Sequence, residues 1–95
     1  MDGPSFSEFE TVARREGYDE VVERSAPAGQ VIAVHEHPFA VKALVVAGEM
    51  WLTEGEATRQ LRAGDVFELA AGAPHAERYG AAGAIYWAAR RHPPR

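Results

Sequence analysis

GEMWLTEGEATRQLRAGDVFELAAGAPH, residues 48–75, is a series of short apolar–polar alternations cut by glycine at 48, 55, 64 and 72. Met50 and Leu52 alternate with Trp51, and Phe67 and Leu69 with Glu68, which is the period of a strand with one buried face. The glycines between such runs read as turns, at positions that favour positive φ. A parallel crossover needs a dozen or more residues. No connection after residue 17 is that long, so neighbouring strands are expected to be antiparallel. Extending the same reading outward gives strands at 19–25, 30–37, 40–47, 49–53, 57–62, 65–69, 75–80 and 84–91. Gly48, Gly64 and Gly72 are read as the places where strands reverse, with the Gly80/Gly83 pair as a further break. Many short strands with glycine turns make an all-β sandwich or barrel.

One helix precedes the strands. SFSEFETVARRE, residues 5–16, puts Phe6, Phe9, Val12 and Ala13 on one helical face and is followed by Gly17. It is expected to cover an edge or an end of the strand region. The tail RRHPPR, residues 90–95, carries two prolines and little apolar anchorage, and is expected to fray.

The chain has 95 residues, which fits a single domain: a helical segment at about 5–16 and a barrel at about 19–91. A domain of this size hides only roughly two-thirds of its unfolded surface, so a subunit partner or a metal would add stability. The net charge is −4 and no basic stripe emerges, which argues against nucleic acid and against anionic membranes as partners. Zero cysteines exclude disulfides, thiolate metal sites and cysteine nucleophiles, and leave His, Asp and Glu as metal ligands. No apolar run approaches the ~18–20 residues of a membrane span, so a cytoplasmic location is the expectation.

Within QVIAVHEH, residues 30–37, strand alternation sends Val31, Ala33, His35 and His37 to one face and Ile32, Val34 and Glu36 to the other. Two imidazoles on one face of a strand can turn toward one ion. Alone, an H-x-H pair is weak evidence of a metal. His75 follows the turn GAPH, residues 72–75, where a reversing chain can return it to an earlier strand. His92 lies in the arginine–proline tail and is expected to take no part.

Gly29-(x5)-His35-x-His37-(x10)-Gly48, followed by Gly64-(x7)-Gly72-(x2)-His75, resembles the two motifs of the cupin superfamily, and the match covers about residues 29–79. The resemblance implies an antiparallel jelly-roll barrel whose motif histidines converge inside on a divalent ion such as iron, zinc, nickel or manganese. It also points to a homodimer. The chain departs from the pattern at Val41, which stands where the first motif carries a metal-binding glutamate. Lys42 cannot replace that ligand, because alternation turns it outward and an ammonium has no lone pair. In the second motif Ala70 replaces a usual proline and Tyr79 a usual asparagine. What remains is a metal set of His35, His37 and His75, with coordination positions left open.

The rest of the lining is expected to be apolar, drawn from Val31, Ala33, Val41, Ala43 and Val45. Met50, Leu52 and Phe67 complete it. Which of Trp51, Tyr79, Tyr86 and Trp87 face inward is left open, although Trp51 breaks the Met50/Leu52 alternation and is read as outward. No carboxylate is placed near the histidines. Asp65 is read as a turn cap and Glu68 as an outward carboxylate. Three functions are consistent with this reading, two of them built on the site. One is a metal-dependent enzyme of oxygenase type acting on an unknown small molecule; the other is a non-enzymatic ligand-binding or sensing barrel, with or without metal. A vestigial oligomerisation scaffold is a third. A general acid or base within reach of the metal would separate the first two.

Overall fold

The structure is a computed structural model and describes residues 3–94. The helix α1, Phe6–Arg15, starts at a reciprocal cap: Glu8 N–H donates to Ser5 Oγ at 3.1 Å, and Ser5 N–H donates to Glu8 Oε1 at 2.7 Å. Six strands follow: β1 Glu20–Ala26, β2 Val31–His35, β3 Ala40–Glu54, β4 Ala57–Arg62, β5 Val66–Leu69 and β6 His75–Arg91. All pairings are antiparallel, as the short connections require.

β3 and β6 are paired along nearly their whole length, and each serves two half-sheets. The first half of β3 pairs with β5 and its second half with β4. The second half of β6 pairs with β1 and its first half with β2. Two four-stranded layers, β1-β6-β3-β5 and β2-β6-β3-β4, are thereby joined by two bent strands into a jelly roll. Hydrogen bonding leaves this barrel open.

The bends correct the expectation that Gly48 and the Gly80/Gly83 pair end strands. Gly48 and Gly83 both have positive φ, at 75° and 70°, yet lie inside continuous strands where the β3–β6 register shifts. A Cβ on Gly48 would come within 2.0 Å of the Gly83 carbonyl oxygen, and one on Gly83 within 2.3 Å of the Ala26 carbonyl oxygen. Three backbones cross there at a separation that only glycine permits. Gly64 and Gly72 do sit in turns, and Asp65 accepts a 2.8 Å bond from the Arg62 N–H across the first of them, as read.

The inner face of β3 supplies most of the core: Ala43, Val45, Met50 and Leu52 are essentially inaccessible, and Leu61, Phe67 and Leu69 pack against them. On the outer face, α1 lies over β1 and β6. Ala13, Tyr18 and Ala89 form a second small core, and Phe6 and Phe9 meet the Trp87 ring at 5.5 and 5.9 Å. The helix therefore covers a sheet face, where an edge or an end was expected. Trp51 is outward as read, under the Arg78 guanidinium at 4.0 Å. The tail departs from expectation over Arg90 and Arg91, which belong to β6. His92 is tied down by its ring Nδ1, 2.8 Å from Asp19 Oδ1, a contact that holds the Asp19 carboxyl below its usual range.

Candidate metal centre

β2 is short and irregular, and its irregularity builds the site. Val31 opposes Arg78 and Ile32 opposes Glu77, but His35 opposes His75, one residue later than a regular ladder would give. The extra residue is a bulge at Ala33–Val34. It inverts the facing of the strand: Ile32 and His35 both point inward, while Val31 and Val34 are each 70% exposed. The expectation that Val31 and Ala33 line the cavity with His35 is thus corrected, because strict alternation cannot see a bulge. Val41 and Phe67 do line the cavity, whereas Ala43, Val45, Met50 and Leu52 lie in the packed core.

His35, His37 and His75 come together as the sequence suggests. One nitrogen from each ring lies within 4.8 Å of the others, and the ring centroids are 4.3 Å apart for His35–His75, 4.8 Å for His37–His75 and 5.7 Å for His35–His37. The turn before His75 is held against the other histidines by Gly72 N–H, which donates to the His37 carbonyl at 2.9 Å. His92 stands apart, beside Asp19, with Phe39 between it and His37.

Two of the rings are oriented by the backbone. His35 Nδ1 lies 2.9 Å from the Ala33 carbonyl oxygen and His75 Nδ1 2.9 Å from that of Ala73. A carbonyl only accepts, so each Nδ1 carries the hydrogen and Nε2 is the nitrogen turned to the cavity, the orientation that metal-ligating histidines use. For His37, burial pushes the pKa below its usual value against an opposing backbone bond from Phe39, and the charges of His75, His35 and Arg90 add to the depression. A neutral imidazole is the form that ligates.

Sequence reasoning missed Glu77. It follows His75 by two residues on the same strand face, and its side chain is only 10% exposed. Glu77 Oε2 is 3.4 Å from His75 Nε2 and 3.6 Å from His35 Nε2, and its other oxygen accepts a short hydrogen bond from Tyr79 Oη. Burial raises the Tyr79 pKa, with the bond to Glu77 and the neighbouring Tyr86 adding to the rise, so the phenol stays a donor. The i, i+2 rule that paired His35 with His37 also pairs His75, Glu77 and Tyr79, and was the available clue.

The cavity above these groups is about 160 Å³, below the ~300 Å³ at which drug-sized pockets begin. Ile32, Val41, Phe67 and Leu69 form its apolar part. Arg24 and Arg90 add two cations. Phe39 stacks on His37 with a centroid separation of 4.4 Å and an interplanar angle of 3°. Tyr86 faces the cavity, and Tyr79 is buried beside it.

Comparison with known proteins agrees with this fold. No curated protein is significantly similar to the chain. Among solved structures, an uncharacterized conserved protein with a double-stranded β-helix domain from Klebsiella pneumoniae is similar at 28% identity and a TM-score of 0.65. The match covers 75% of this chain and 64% of that one. The DMSP lyase DddQ from Ruegeria pomeroyi is 30% identical, with a TM-score of 0.65, over 75% of this chain and 36% of that chain. Oxalate decarboxylase from Bacillus subtilis, a protein with Mn(II) centres, shares the fold at 21% identity and a TM-score of 0.69, over 76% of this chain and 20% of that chain. The chain therefore spans less than two-thirds of the length of each. The family described as "Cupin domain" matches residues 21–84, which hold the bulged strand, the three histidines, all of β3 and the first part of β6, and the chain belongs to that family.

Proposed function

We propose that the chain is a metal-dependent cupin in which His35, His37 and His75 hold one divalent ion and leave positions open for a small, oxygen-rich molecule or dioxygen. The observation that carries this reading is the convergence of three imidazoles, two of them with Nδ1 committed to backbone carbonyls. An all-imidazole set suits iron, zinc or nickel. When bound, such an ion supplies Lewis acidity and an anchoring point for substrate. The chain's own groups set what enters: the cavity is small, and Arg24 and Arg90 favour a negatively charged molecule. The polar pair Glu77–Tyr79 beside the histidines favours an enzyme over a passive binding barrel, since reacting groups need such partners within reach. Oxygenase or lyase chemistry fits this site best; the neighbours with related folds include a lyase and a decarboxylase.

The test is elemental analysis of protein purified without added metal or chelator, followed by titration with iron, zinc, nickel and manganese. About one ion per chain is expected for wild type and none for His37→Ala. A wild-type protein that neither carries nor takes up any of these ions refutes the reading. We further infer a homodimer, supported by the exposed Val31 and Val34 on β2. Light scattering at micromolar concentration should give twice 10.3 kDa, and a mass of 10.3 kDa rejects the dimer.

A further inference from the structure

We propose that Glu77 is a fourth ligand of the same ion, supplying from β6 the carboxylate that the cupin pattern places on β3 at the position of Val41. The inference rests on the three-histidine reading and adds a residue to it.

Three observations support it. The first is distance. Two ligand atoms at about 2.0–2.2 Å from one ion with tetrahedral angles are about 3.3–3.6 Å apart. Glu77 Oε2 stands 3.4 Å from His75 Nε2 and 3.6 Å from His35 Nε2, so little motion brings it onto a shared ion. The second is orientation. The other carboxylate oxygen is held by Tyr79 Oη, leaving Oε2 turned to the histidines. A hydrogen bond behind a ligand, fixing its direction, is what the outer shell of a metal site provides. The third is charge. The carboxylate is 10% exposed in its side chain, and among the described residues no Lys or Arg nitrogen pairs with it within 4.0 Å, although Arg24 and Arg90 line the same cavity. A buried carboxylate needs a compensating cation, and three imidazoles around a divalent ion need a compensating anion. Each requirement answers the other.

Val41 lines the same cavity. Its apolar side chain there is consistent with a site whose carboxylate arrives from another strand.

The test is a Co²⁺ titration at neutral pH of the full chain, read by chelator competition and by the visible absorption of the bound ion, which reports coordination. Wild type, Glu77→Gln, His37→Ala and Glu77→Gln/Val41→Glu are compared. Glu77→Gln keeps an acceptor for Tyr79 and removes the charge. It should bind Co²⁺ roughly 10–100-fold more weakly, with an altered spectrum. Val41→Glu in that background should recover at least part of the loss. If His37→Ala abolishes binding while Glu77→Gln matches wild type in affinity and spectrum, the Glu77 proposal fails and the three-histidine site stands. If wild type binds no Co²⁺, or His37→Ala binds as wild type does, both fail. Should Glu77→Gln not fold, Tyr79→Phe takes its place. Releasing the carboxylate from its tether should weaken Co²⁺ binding several-fold, and an unchanged affinity overturns the proposal.

Discussion

The two long strands that run side by side through the barrel present opposite chemistries to its interior. Along β3 the inward residues from Val41 to Leu52 are all apolar, and most are fully buried. Along the first half of β6 they are His75, Glu77 and Tyr79. The two sets are in direct register, with Met50 opposite Tyr79 and Leu52 opposite Glu77. One strand buries hydrocarbon and stabilises; its neighbour buries hydrogen-bonded polar groups and builds the site. The comparison shows that two adjacent, register-paired strands of one barrel can divide apolar and polar burial between them, because both face the interior.

Truncation on the two strands should separate stability from binding. Leu52→Ala, at a fully buried position, is expected to cost about 2–5 kcal/mol in urea unfolding while leaving metal stoichiometry intact. His75→Ala should instead abolish metal uptake, with a smaller stability loss of about 1–3 kcal/mol from the unpaired Ala73 carbonyl. If both variants lose both properties equally, the division of labour between the strands is wrong.

Val41→Glu moves a carboxylate onto the apolar strand while Glu77 remains. Two buried carboxylates in one small cavity should destabilise the metal-free protein by about 1–3 kcal/mol at neutral pH, and the penalty should shrink in acid as one of them protonates. Affinity for a divalent ion should rise. Unchanged metal-free stability together with unchanged affinity would mean that residue 41 does not face the ion.

Tyr79→Phe is a milder change on the polar strand, expected to cost about 1 kcal/mol of stability in the metal-free protein. The smallest effect expected is that of pH on His37. Its folded pKa lies below the ordinary 6.5, so on acidification the unfolded chain takes up the proton first. The stability this confers is fully present above about 6.5 and is lost as pH falls through the lower folded value. In urea melts of the metal-free protein between pH 7.5 and 5, His37→Gln should flatten that decline; an unaltered slope would place its origin elsewhere.

Much of this site was legible from residue order. Three histidines at motif spacing, glycine-bounded runs and the apolar alternation around Met50 and Phe67 all follow from side-chain period, which a strand enforces locally. What escaped depends on how strands meet. The Ala33–Val34 bulge exists only relative to β6, so Ile32 and Val31 exchanged faces without any local mark. Gly48 and Gly83 carry the same glycine as a turn would, and only the crossing backbones reveal a bend. Glu77 is different: alternation from His75 turns it to the same face, but alternation alone does not say which face of β6 meets the histidines of β2.

The contact among Gly48, Gly83 and Ala26 has an evolutionary consequence. Main chain rests on main chain there, so the close approach of the two bent strands does not depend on the side chains that line the cavity. Residues around the cavity, such as Ile32, Phe39, Val41 and Tyr86, can therefore drift in size and polarity with the frame unchanged. The barrel can vary its cavity lining as long as the two glycines are kept.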